Sequence, residues 1–112
     1  MAPTYARPVL VVNRFRVSES DAEAFRADVG LAVAALAERP GFVRAESGRN
    51  VDDPGLWVLA TTWADVGSYR RALSSYDVKV GAVPLLSRAI DEPSAFEDLD
   101  GQLNESVPRS TG

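Results

Sequence analysis

The residues best suited to chemistry in this chain are one amide and a set of aromatics. Asn13 lies in "VLVVNRFRV", and Trp57, Trp63 and Tyr69 lie in "LWVLATTWADVGSYRRAL". The three aromatics stand six residues apart, and Trp57 and Trp63 are the only tryptophans in 112 residues. Such groups handle a ligand rather than attack it. An indole stacks on a flat ring system, an amide orients an oxygen, and a phenol donates or relays a proton. A plainer reading stands beside this one: Trp63 plugs the core, and its indole N–H bonds a carbonyl. Asn13 is equally open, since a buried amide must be hydrogen-bonded, to backbone or water as readily as to a ligand.

What is missing narrows the chemistry further. There is no histidine, which removes the usual general base, the usual haem ligand and the ordinary serine triad. There is no cysteine, so no disulfide, thiolate nucleophile or iron–sulfur site. Neither a phosphate-binding loop nor a dinucleotide fingerprint occurs, and no cofactor is expected. The acidic groups Asp52–Asp53, Asp91–Glu92 and Glu97–Asp100 lack the spacing of a calcium loop, so no metal is expected. A formal charge of −4 without a basic run argues against nucleic acid or an anionic membrane as partner. No apolar run approaches spanning length and no leader pattern opens the chain, so a cytoplasmic location is expected.

These side chains need elements to hold them. "VLVVNRFRV" reads as a strand with Val9, Val11, Asn13, Phe15 and Val17 on one face, Leu10, Val12, Arg14 and Arg16 on the other. "SDAE" predicts a helix capped by Ser20 with Glu23 in reply, its inward stripe being Ala22, Phe25, Val29, Ala32 and Leu36. "ERPG" ends that helix. "FVRAESGRN" is a second, more polar strand, and "LWVLATTW" a third, with Trp57, Leu59, Thr61 and Trp63 sharing a face. Asp65 caps a second helix, a third from about Val78 to Ser87 is kinked or divided near Pro84, and "PSAFEDL" is a short edge strand. Residues 1–7 and 100–112 are expected to be flexible tails around one domain, 8–99.

The order strand, helix, strand, strand, helix, strand predicts a ferredoxin-like α+β fold with helices on one face of an antiparallel sheet. The other face, carrying Leu10, Val12, Val58 and Ala60, would be an apolar patch that monomers rarely expose. A homodimer packed sheet to sheet about a twofold is the expected remedy.

"VVNRFRV", "ERPGF" and "ATTWADVGSYRRAL", in that order and spacing, resemble the antibiotic biosynthesis monooxygenase domain family over about residues 8–99. The resemblance implies a dimeric α+β barrel whose ligand cavity lies between each subunit's sheet and helices. Some members oxidise anthrone- or phenol-like polycyclic aromatics to quinones with dioxygen and no cofactor. Others degrade haem with a strand Asn, a helical Trp and a His. Asn13 matches the first of these, but the Trp position falls near Ala72 and the His position near Gly81 or Ala82, so haem degradation is not implied.

For the quinone-forming members, Trp63 and Tyr69 match, while Leu59 stands where they carry an Asn, and a His position falls near Gly48. The resemblance therefore implies catalytic roles for Asn13, Trp63 and Tyr69. Phe15, Leu59, Arg70, Leu73 and Tyr76 would contact a hydrophobic aromatic substrate, with Trp57 at the rim. Arg70 reads more readily as a solvated surface cation. The expected activity is cofactor-independent oxygenation; the alternatives are a binding or accessory protein with the same cavity, or a non-oxidative isomerase or cyclase.

Overall fold

The computed structural model describes residues 7–100. Four strands, β1 (Val9–Arg16), β2 (Phe42–Arg49), β3 (Leu56–Trp63) and β4 (Ala95–Glu97), form one sheet in the order β2-β3-β1-β4, every pairing antiparallel. The helices are α1 (Ala22–Ala37), α2 (Val66–Ser74), α3 (Tyr76–Gly81) and α4 (Val83–Leu86). This is the ferredoxin-like α+β arrangement, with the two most apolar strands at the centre. No helix among the described residues is long and apolar enough to cross a membrane. Residues 1–6 and 101–112, assigned above to the tails, lie outside the described residues.

Strand alternation decides which face is covered. Val9, Val11 and Phe15 on β1 and Trp57, Leu59, Thr61 and Trp63 on β3 are all buried on the helical side. Against them α1 lays Phe25, Val29, Ala32 and Leu36, the stripe its spacing predicts, and Ala72, Val78, Ala82 and Leu85 complete the core. Two aromatic groups hold the ends of this layer. Near the C-terminal end of β1, Phe25 meets Phe15 at 5.0 Å and Trp57 at 5.4 Å between ring centroids. At the opposite end, Trp63 meets Phe42 edge-on at 5.3 Å and Tyr69 at 5.8 Å. Trp63 is fully buried, and its indole N–H donates to Thr61 Oγ1 at 2.9 Å.

The opposite face keeps a patch of apolar surface. Leu10 is 39% exposed, and Val12, Val58 and Ala60 are partly exposed beside it. Phe96, 49% exposed, stands opposite Leu10 in the β1–β4 register. Arg44 and Glu46 border the patch on β2. On its other side Arg14 grips Glu92 through two hydrogen bonds of 2.7 and 2.8 Å, tying β1 to the segment before β4. That grip holds the Glu92 carboxyl below its ordinary pKa and the Arg14 guanidinium above its own.

Local details depart from the expected pattern in three places. Ser20 does not cap α1: a 3-10 turn, Glu19–Asp21, intervenes, Asp21 is the flanking residue, and no side chain caps the helix. Ser18 instead donates its hydroxyl to Asp21 at 3.0 Å, local bonding that competes with the capping box. The third helix begins two residues early, at Tyr76, because Ser75 caps it through Val78 N. It divides at Ala82, leaving Pro84 in the first turn of α4, where the missing N–H does no harm. The last strand is only three residues long, with Pro93 outside it. Asp65 does cap α2, accepting from Ser68 N at 2.7 Å, and that bond lowers its pKa.

Two substitutions test this packing. Gly41 joins α1 to β2 with φ of +89°, and a Cβ there would collide with the Ser68 side chain in the first turn of α2. Gly41→Ala is expected to cost about 1–3 kcal/mol, read from the urea midpoint at unchanged slope. Thr61→Val keeps the shape but strands the Trp63 N–H in the core, and should cost about 1–3 kcal/mol in the same assay.

Candidate functional site

Antiparallel register determines which chemical groups meet. Trp63 and Tyr69 do: α2 starts three residues after Trp63, and its first turns carry the half-buried Tyr69 back over the indole. Burial raises the Tyr69 pKa, so its phenol remains a donor well beyond neutral pH. Asn13 is not beside them. It pairs with Leu59, whereas Trp63 pairs with Val9, so the amide stands about 13 Å along the sheet from the Trp63 row. It is partly exposed, and water can satisfy it there.

The remaining candidates divide between core and surface. Phe15 and Leu59 are 1% exposed, and Leu73 packs partly buried against the same core. Arg70 is exposed and lines a cleft between β4 and the start of α2, together with Asp65 and Glu97. Tyr76 opens α3 with 78% of its surface exposed. The structure thus joins Trp63 to Tyr69 and Phe15 to Trp57, and leaves Arg70 and Tyr76 outside the layer.

Another opening between sheet and helices lies under α1 and beside β2. It is a cleft of roughly 490 Å³ whose lining includes Trp57, Arg26, Arg49, Val29, Ser47 and Glu46. Trp57 is 9% exposed, and register places Arg49 directly across from it, with the guanidinium 5.3 Å from the ring centroid. Its indole N–H is buried and has no hydrogen-bond partner among the described residues, a deficit of about 1–3 kcal/mol. The two tryptophans therefore differ in kind. Trp63 is satisfied and sealed, whereas Trp57 sits at an opening with its donor unused.

Sequence reasoning placed Trp57 only at a rim and missed Arg26 and Arg49. The signal for Arg26 was its position one residue beyond Phe25 on α1; that for Arg49 appears only once β2 is paired with β3. Among the described residues no group of three or more acidic side chains is placed to hold a metal ion.

Comparison with known proteins bears on both fold and family. Nothing among curated proteins matches the chain. Solved structures that resemble it include SnoaB, a cofactor-independent oxygenase from Streptomyces nogalater, at 30% identity and a TM-score of 0.71, covering 93% of this chain and 100% of that one. A putative antibiotic biosynthesis monooxygenase from Nitrosomonas europaea, at 14% identity, gives a TM-score of 0.68 over 91% of this chain and 96% of that one. One from Bordetella bronchiseptica, at 17% identity, gives 0.65 over 82% and 95%. The last two likenesses speak to the fold alone. Residues 8–82 match the family model described as antibiotic biosynthesis monooxygenase, and the chain belongs to that family.

Proposed function

We propose that this chain is a cofactor-independent oxygenase that converts a phenolic or anthrone-type polycyclic aromatic into a quinone with dioxygen. The observation that carries this reading is the likeness, at 30% identity over 93% of the chain, to a cofactor-independent oxygenase. The cleft beneath α1 supports it, since its volume falls in the range that takes a flat molecule of several rings.

The chemistry asks little of the protein's own reactivity. The substrate loses a proton to become an electron-rich anion, which passes one electron to dioxygen. The resulting radical and superoxide join in a carbon–oxygen bond, and loss of water from that hydroperoxide leaves the new carbonyl. One dioxygen thus yields one carbonyl oxygen and one water, the two hydrogens leaving with the water (both from the ring carbon of an anthrone, one from carbon and one from the hydroxyl of a phenol), and no other reductant is consumed. The protein's tasks are to bind, to favour the anion and to exclude bulk water.

In this reading Tyr69, its phenol a donor at neutral pH, hydrogen-bonds a substrate oxygen. Trp63 stays as the sealed plug at the inner end of the layer, with Phe15 and Leu73 packed in the same core. Leu59 stands between Trp57 and Trp63 on the same face of β3 and forms the partition between the open cleft and the inner aromatics. A second reading, a binding or accessory protein without turnover, is favoured by Leu59 and Gly48 standing where quinone-forming relatives carry polar groups. Metal-free protein incubated with anthrone-type phenols in air is expected to consume oxygen and form the quinone absorption band. Tyr69→Phe should lower kcat about 100-fold at unchanged fold. Binding without oxygen uptake would establish the second reading, and unchanged turnover in Tyr69→Phe would remove that residue from the site.

We also propose that the apolar sheet face pairs with a second copy about a twofold, burying Leu10, Val12, Val58 and Ala60. Light scattering should give twice the mass of the 12.0 kDa chain. Val58→Glu should give a folded monomer by circular dichroism; a monomeric wild type would end this proposal.

A further inference from the structure

We infer that the cleft beneath α1 is built for an anion, and that its ligand is a planar aromatic carrying an ionised oxygen, a phenolate or carboxylate, at the end that meets Trp57. The inference rests on the functional reading above only in taking this cleft as the ligand's place, and it names what the cleft selects. Three observations carry it.

First, the cleft's charge runs against that of the chain. Arg26 and Arg49 line it, and like several other cations of the chain neither makes an ion pair among the described residues. Glu46, the one carboxylate in the lining, lies 4.0 Å from Arg44. The opening is thus net positive on a chain whose formal charge is −4. Two long cations left without acidic partners on an acid-rich surface are available to an anion from outside.

Second, the Trp57 N–H is a buried donor lacking an acceptor. A ligand oxygen would supply it, and an anionic oxygen would do so best, because a charge-assisted bond is the stronger kind. Third, the groups are stacked in register. Arg49 lies across from Trp57 and over its ring, so a guanidinium already stands where a flat, electron-rich ligand would lie. Binding would move Arg49 from the indole face onto the ligand's charge. Val29 and Ala45 supply the apolar walls for the remainder of the ring system.

Such a site would do more than hold the ligand. Two cations and a donor at one end favour the ionised form over the neutral one, which lowers the ligand's own pKa. A chain without histidine would then obtain its reactive anion by binding it.

The test uses the whole chain and two probes of equal shape, anthraquinone-2-carboxylate and anthraquinone-2-carboxamide, measured by equilibrium dialysis. The carboxylate is expected to bind at least about tenfold more tightly than the amide, a preference that weakens with salt. Arg26→Gln and Arg49→Gln, both surface changes, should each reduce that preference severalfold. Trp57→Phe should weaken carboxylate binding more than amide binding, since both oxygens accept but the charged one makes the stronger bond. Equal binding of the two probes, no binding of either, or a preference untouched by both arginine variants would overturn the inference. Oxygen consumption separates this result from the proposed activity. Anion preference without turnover leaves the inference standing and removes the catalytic reading; turnover with equal probe binding does the reverse.

Discussion

The structure depends on one strand keeping two indoles on the same side. Trp57 and Trp63 open and close the inward row of β3, and each gathers aromatics from other elements: Phe15 and Phe25 at one end, Phe42 and Tyr69 at the other. Because β3 is central, these two groups span the layer between sheet and helices and set where α1 and α2 can sit. Ala32, Ala72 and Ala82, small residues of the helical layer, are buried in the same core. A slip of one residue in β3 would turn both indoles outward, so the register is held strongly.

The same two residues show how a core and a site differ on one strand. Trp63 has an acceptor two residues away on its own face, and its end of the layer is closed. Trp57 has none, its neighbour across the strand is a cation, and its end meets the gap between α1 and β2. Identical side chains at equivalent faces thus take opposite roles because strand pairing gives them different neighbours. An unused donor next to unpaired arginines is a cost in the free protein, and the proposed ligand offsets it.

Much of the fold was legible in the sequence. The α1 stripe, the faces of β1 and β3, the Asp65 cap and the break near Pro84 all follow from local periodicity or from a single residue's stereochemistry. The Ser20 cap did not form, because Ser18 and Asp21 bond to each other and tighten the entry into a 3-10 turn. The candidate site was harder to read. Period two tells which side of a sheet a residue faces but not how far along the sheet it lies from another, and so Asn13 was grouped with Trp63 despite being paired with Leu59. Arg49 became visible only through the β2–β3 pairing, which includes an extra residue at Val43 that spacing alone does not reveal.

That extra residue has a consequence for how copies of the chain can meet. It interrupts the ladder near the start of β2, the strand at one margin of the sheet, and the rest of that strand carries Arg44, Glu46 and Arg49 in exposed positions. At the other margin β4 is three residues long, and beyond it the backbone of β1 is occupied by Ser94 and Ile90 rather than left bare. Among the described residues neither margin offers a straight, uncharged run of free amides and carbonyls on which further strands can accrete. Lateral growth into ribbons is therefore disfavoured at both ends of the sheet, and the twofold contact proposed for the flat side would use itself up at two copies.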